Sequence, residues 1–203
     1  MLVSGPDFYY ATAVRGQRLA MNIIKSAIPE VLIIEPKRIA DARGFFSELF
    51  HGDRYASAGI KGPFVQDNVS QSGHGVLRGL HLQFPNPQGK LISALAGRIL
   101  DVIVDVRRGS PTFGRSVSIE LSAENGIQAF APRGFAHGFV VLSEQAQVFY
   151  KCDSFYSPKD EIVVRWDDPV LGIDWKVDQP RMSPRDQAGL LLADIALLPR
   201  YEP

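Results

Sequence analysis

The chain is poor in the features that would staple it, charge it or anchor it. One cysteine, Cys152, in 203 residues excludes an internal disulfide framework and suits a reducing compartment. The 22 basic and 22 acidic residues cancel, so the basic excess of a nucleic-acid binder is missing. No C-x-x-C or H-E-x-x-H arrangement occurs, and no apolar run is long enough to span a bilayer. Residues 1–20 contain Arg15, Gln17 and Arg18 without a continuous apolar segment, a poor signal peptide. A cytoplasmic protein with no membrane or nucleic-acid partner is the expectation. Internal repeats, low-complexity tracts and linkers are also missing. Residues 21–203 therefore read as a single domain, while residues 1–20 read as an accessory arm or an upstream start. Met21-Asn22-Ile23-Ile24 opens the first patterned segment.

Long helical periodicities are absent too, and what replaces them is a series of short strands. Apolar residues make up 45% of the chain, enough for a substantial core. Strand patterns recur about every ten residues: 31–34, 45–50, 64–70, 75–83, 90–96, 98–107, 117–121, 127–131, 135–142, 147–152 and 161–166. Turn signals such as Asp41-Ala42-Arg43-Gly44 and Gly109-Ser110-Pro111-Thr112 separate them. In 98–107, Leu100, Val102, Val104 and Val106 share one face, with Asp101, Ile103 and Asp105 on the other. This spacing predicts an all-β sandwich or barrel. A few short helices accompany it, over 53–59 and at Ser183-Pro184-Arg185-Asp186. There Ser183 suits the N-cap, Pro184 the first turn and Asp186 the capping-box position.

Gly75-Val76-Leu77-Arg78-Gly79-Leu80-His81-Leu82-Gln83 is the central stretch. An Arg and a His inside a Val/Leu strand need partners or a cavity, because an unsatisfied buried polar group is costly. In a straight strand Arg78 and His81 would face opposite sides; a bulge at Gly79 would bring both to one cavity. Other polar residues stand in similar apolar surroundings: Gln66, Asn68, Lys90, His137 and Tyr150. Each has a structural reading: His81 and His137 as bonded core histidines, Tyr150 as an interior tyrosine, Lys90 as a solvated cation, Asp186 as a cap. Their co-occurrence on several strands of one barrel favours chemistry.

Seven motifs appear in order: Arg43-Gly44-Phe45-Phe46 followed by Glu48, Phe64-Val65-Gln66-Asp67-Asn68, Leu77-Arg78-Gly79-Leu80-His81, Gln88-Gly89-Lys90-Leu91, Ser110-Pro111-Thr112-Phe113-Gly114, Gly134-Phe135-Ala136-His137-Gly138 and Tyr156-Ser157-Pro158. From about Met21 to about Leu192 the chain resembles the dTDP-4-dehydrorhamnose 3,5-epimerase family of nucleotide-sugar enzymes. The resemblance implies a cupin-type jelly roll that works as a homodimer without metal or organic cofactor. It implies an isomerase that epimerises the carbons flanking the ketone of a dTDP-4-keto-6-deoxyhexose, on the route to dTDP-L-rhamnose, a precursor of surface polysaccharides. By motif, His81 would be the base, Tyr150 the acid on the opposite face and Asp186 the carboxylate orienting His81. Arg43, Glu48, Gln66, Asn68, Arg78, Lys90, His137, Glu161 and Arg185 would contact substrate, and Tyr156 would stack on the thymine.

The residue chemistry agrees. A proton beside a ketone becomes acidic when the developing enolate oxygen is stabilised, which Lys90 and His137 can do in a water-poor barrel. Histidine, with an unperturbed pKa of about 6.5, suits the base. Inversion needs a proton returned from the other side, a role open to Tyr150. Diphosphate needs cations, which Arg43 and Arg78 supply. Three positions depart from the family pattern: Ser93 where arginine is common, Phe155 where a second tyrosine is common, and Arg185 where lysine is usual. Three alternatives remain at this level: a metal-dependent cupin, a non-catalytic sugar-nucleotide binder, and an epimerase acting on one carbon. The metal reading usually needs a His-x-His pair plus a carboxylate, and Leu82-Gln83 follows His81 here.

Overall fold

Alternating burial organises the chain into two facing antiparallel sheets. The structure, a computed structural model, describes residues 21–203; the expected arm over residues 1–20 lies outside the described residues. The strands are β1 (Met21–Lys25), β2 (Leu32–Pro36), β3 (Arg38–Asp41), β4 (Gly44–Ser47), β5 (Gln66–Gly73), β6 (Leu77–Gln83), β7 (Lys90–Ala96), β8 (Arg98–Asp105), β9 (Ser116–Ser122), β10 (Gln128–Ala131), β11 (Phe135–Val141), β12 (Gln145–Cys152) and β13 (Glu161–Val163). One sheet runs β1-β2-β10-β7-β12-β5, the other β13-β6-β11-β8-β9, and β3 pairs with β4 in a separate hairpin. Two short helices, α1 (Gly52–Ser57) and α2 (Pro184–Gln187), complete the cupin-like jelly roll.

Three apolar layers hold it together. Ile92, Ile103, Ile119, Phe139 and Val148 interdigitate between the sheets. On the outer face of the five-stranded sheet, Leu100, Val102 and Val104 meet Leu171, Trp175 and Ile195 from the C-terminal segment. On the outer face of the other sheet, Tyr55 from α1 packs with Ile34, Leu91 and Phe130. Strand β8 is thus buried on both faces, which its near-continuous apolar run foreshadows.

Some elements end differently from the sequence pattern. The expected strand over 45–50 stops at Ser47, and its Phe45 and Phe46 are 62% and 69% exposed. The expected strand over 64–70 is shifted along the chain, because β5 starts at Gln66 and continues to Gly73. Of the expected strand over 161–166, β13 takes Glu161–Val163, and Val164 continues only as an isolated bridge to Leu190.

The bulge sits on β6. His137 of β11 pairs with His81, and Phe139 pairs with Arg78. One residue of β11, Gly138, therefore faces two of β6, Gly79 and Leu80. Gly79 takes a φ of +131°, and a Cβ there would lie 2.5 Å from the Gly138 Cα, so only glycine fits. The extra residue resets the alternation. Leu77, Leu80 and Leu82 all enter the outer core, while Arg78 and His81 both face the space between the sheets.

Candidate active site

The sheets part along the side where β5 and β13 are the outermost strands, leaving a cavity of about 590 Å³. That is within the usual range for a small-molecule site. Strand β5 explains its own polarity here. Gln66, Asn68 and Ser70 point into the cavity, while Asp67, Val69 and Gln71 face outward.

His81 enters from β6. Its Nε2 lies 2.7 Å from the Asp186 Oδ1. A carboxylate only accepts, so Nε2 carries the proton and the lone pair of the neutral ring rests on Nδ1. That nitrogen is 3.8 Å from the Glu161 Oε1, beyond hydrogen-bonding distance. Asp186 rides on α2, whose first turn is capped by the Ser183 hydroxyl accepting from the Asp186 N–H at 3.1 Å. The side chain of Asp186 reaches His81 instead of the cap. Burial works against its charge, yet bonds from His81, Ser183 and the Gly79 main chain together hold its carboxyl below the ordinary carboxylate value.

A second histidine–carboxylate pair stands beside the first. His137, opposite His81 on the neighbouring strand, places its Nε2 2.7 Å from the Asp101 Oδ2. Asp101 is fully buried and its other oxygen has no partner. Lys90, at the start of β7, completes this deep wall. Burial pushes its ammonium below the usual range, against the opposing influence of Cys152 and Asp101. Tyr150 projects from β12 in the opposite sheet. Burial raises its hydroxyl above the ordinary tyrosine value, and its oxygen bonds to no protein group among the described residues.

The rim is more polar. Tyr156 is half exposed, its N–H donates to the Gln66 Oε1 at 2.8 Å, and its hydroxyl donates to the Glu161 Oε2 at 2.7 Å. Arg185 pairs with the same Glu161 oxygen. Across the mouth, the Arg78 Nε donates to the Ser72 Oγ at 3.0 Å.

Eleven of the thirteen expected site residues therefore line one cavity: Gln66, Asn68, Arg78, His81, Lys90, His137, Tyr150, Tyr156, Glu161, Arg185 and Asp186. Arg43 and Glu48 do not. Arg43 bonds to Asp41 at the tip of the β3–β4 hairpin with 90% of its side chain exposed, and Glu48 pairs with Arg54. Residues that went unmarked in the sequence also line it, among them Gln83, Gln88 and Arg181. Asp101 went unmarked as well. Its signal was a lone carboxylate on an inward strand face. Ser93 belongs to a buried chain in which the Tyr55 hydroxyl donates to Gln128 and the Gln128 amide donates to the Ser93 Oγ. Among the described residues, no group of three or more His, Cys, Asp or Glu is placed to hold a metal ion.

A histidine with a ring nitrogen free of hydrogen bonds, a tyrosine with an unbonded hydroxyl on the facing wall, and the deep-set Lys90 and His137 share one cavity of a jelly-roll isomerase. The chain belongs to the dTDP-4-dehydrorhamnose 3,5-epimerase family, whose family model matches residues 25–194. A dTDP-4-dehydrorhamnose 3,5-epimerase of Shigella flexneri is 49% identical over 86% of this chain and 97% of its own. A crystal structure of the dTDP-6-deoxy-D-glucose-3,5-epimerase of Legionella pneumophila, in complex with dTDP-4-keto-L-rhamnose, superposes with a TM-score of 0.88 at 52% identity. It covers 90% of this chain and 100% of that one. A dTDP-4-dehydrorhamnose 3-epimerase of Streptomyces niveus is 39% identical over 89% of this chain and 90% of its own.

Proposed function

We propose that the chain inverts carbons 3 and 5, flanking the ketone of dTDP-4-dehydro-6-deoxyglucose, to give dTDP-4-dehydro-L-rhamnose. The observation that carries this reading is the placement of the His81 ring and the Tyr150 hydroxyl on opposite walls of one cavity. In this reading Nδ1 of His81 takes the proton from the carbon beside the ketone. Asp186 fixes the ring's tautomer and stabilises the imidazolium that forms. The negative charge moves to the carbonyl oxygen, where Lys90 and His137 stabilise it. Tyr150 then protonates the opposite face. Every step is a proton transfer between side chains and substrate.

Arg43 and Glu48 are proposed to act across a homodimer. The β3–β4 hairpin carries them with the exposed Ile39, Phe45 and Phe46. Such an apolar arm on a two-stranded ribbon is a poor surface for an isolated protomer and a good one to lay over a partner's cavity. Compact dimers in solution scattering at micromolar concentration are expected; monomers would sink this arrangement. Residues 21–203 are proposed to form one epimerase unit working in the cytoplasm, a location supported by the single, unpaired, buried Cys152. No helix among the described residues is long and apolar enough to cross a membrane.

The test is incubation with dTDP-4-keto-6-deoxyglucose in deuterated water, with the label read by NMR. Label at both flanking carbons with inversion is expected. Label and inversion at one carbon would instead place the chain with the single-carbon enzymes. Absence of exchange would leave it a binder.

A further inference from the structure

The segment that carries Tyr156 to the cavity rim belongs to no strand. Residues 154–157 follow β12 without regular structure, so their main-chain groups have no ladder to pair in and must find partners elsewhere. Three glutamine side chains supply them in order along the segment. The Gln88 amide donates to the Ser154 carbonyl at 2.7 Å, and the Gln66 Oε1 accepts from the Tyr156 N–H at 2.8 Å. Gln83 takes the groups on either side of Tyr156. Its Nε2 donates to the Phe155 carbonyl at 3.3 Å, and its Oε1 accepts from the Ser157 N–H at 2.8 Å. A further bond from Nε2 goes to the Asn86 carbonyl at 3.2 Å.

Gln83 is only 5% exposed, and both polar atoms of its side chain are engaged by two loops at the cavity mouth. It stands two residues beyond His81 on β6, and both line the cavity. An irregular rim segment is mobile by default, and ordering it when a ligand binds weakens affinity. Buried amide bonds fix this one in advance. The Tyr156 ring stays 45% exposed while its main chain is held, so a flat face is presented to a planar ligand ring. We propose that Gln83 is a positioning residue for nucleotide recognition: by fixing the main chain on both sides of Tyr156, it sets the ring on which the substrate's base stacks. This rests on the nucleotide-sugar reading above. The consequence is a split between binding and chemistry. His81, Tyr150 and Lys90 lie on strands held by their own ladders, so loss of Gln83 loosens the nucleotide and leaves proton transfer in the bound sugar intact.

Gln83→Met tests this, because it keeps the side-chain length and loses all three bonds. Calorimetry with dTDP, well below the melting temperature of the variant, should show affinity at least about tenfold weaker, the worth of one to two hydrogen bonds. KM for dTDP-4-keto-6-deoxyglucose should rise by a similar factor, and kcat should stay within about threefold. Unchanged dTDP affinity, or a fall in kcat without a change in KM, would overturn the proposal. If the variant does not fold, hydrogen exchange of the unmodified protein decides. The Tyr156 and Ser157 amides should be as protected without dTDP as with it, and protection that appears only with dTDP would count against a preset platform. Turnover by the unmodified protein is measured in the same series. Its absence strikes the epimerase reading, whereas the dTDP affinity of the variant still speaks to Gln83.

Discussion

The molecule holds two histidine–carboxylate pairs of equal length on neighbouring strands, and they differ in almost everything else. His81 and Asp186 meet at 2.7 Å with side-chain exposures of 25% and 7%. His137 and Asp101 also meet at 2.7 Å, but at 7% and 0%. The first pair joins a strand to a capped turn at the cavity wall, and its ring keeps one nitrogen for a proton. The second joins two central strands at the deep wall of the cavity, with a carboxylate oxygen left without a partner. The difference teaches that the bond itself does not assign the role. An accessible lone pair suits proton transfer. A buried donor beside a buried Lys90 suits stabilisation of charge that appears during the reaction, since fixed dipoles and charges act most strongly where water is excluded.

The strongest way to break this comparison is His81→Ala. It should lower kcat by more than about a hundredfold, the contribution of a positioned acid–base group, while the melting temperature stays near that of the unmodified protein. Near-normal turnover by the folded variant would remove His81 from the base role.

Tyr150→Phe probes the facing wall. The ring packing survives and the hydroxyl is lost. Inversion should fall by about a hundredfold, whereas exchange of substrate protons into deuterated water should fall distinctly less, because His81 still removes and returns them on one face. Measured on one sample, equal loss of both rates in a stable variant would exclude Tyr150 as the acid.

Exchanging the carboxylates sharpens the contrast. Asp186→Asn should cost activity about tenfold or more through the wrong tautomer, with little change in denaturant midpoint. Asp101→Asn should show itself in stability, losing about 1–3 kcal/mol from a buried, charge-bonded site. A denaturation series in which Asp186→Asn is the less stable of the two would contradict the division drawn here.

The smallest effect is in acid. Asp105 is a third buried carboxylate, and its work is structural. Burial opposes its charge, yet Arg107, Ser110 and Thr112 bond to it and bring its pKa to about 2. Asp186 is shifted in the same direction. A carboxyl whose folded value lies below the ordinary 3.8 stabilises the fold above that value and loses its contribution as pH falls through the folded value. For Asp105 the shift corresponds to about 2 kcal/mol. Asp105→Asn should therefore be less stable at neutral pH and flatten the decline between about pH 4 and pH 2. An unchanged acid limb would show that Asp105 is not responsible for it.

Much of this was legible in the residues. Period-two alternation located nearly every strand, because a half-buried sheet writes its faces into the chain. The polar residues of β5 and the cation and imidazole of β6 stood out, since groups like these are retained in apolar surroundings only where something satisfies or uses them. The turn at Ser183 was readable from capping chemistry alone.

Other features depend on contacts that no local pattern encodes. Two faces of β6 were exchanged by a single extra residue, and whether Gly79 bulges depends on Gly138 approaching it from β11. The partner of His81 stands 105 residues away, and Asp101 looked like one more inward acid until His137 was placed against it. Arg181 belonged to no strand and drew no notice, yet backbone bonds to Gly75 and Leu77 carry it to the cavity lip. The sequence by itself determined most of the strands, the faces that the regularly alternating ones bury and which residue types wait for partners, because those follow from each residue's own cost of leaving water. The pairing of imidazole with carboxylate, and the meeting of two sheets around one cavity, were decided only in the tertiary structure, because register and chain crossing set distances that sequence separation does not.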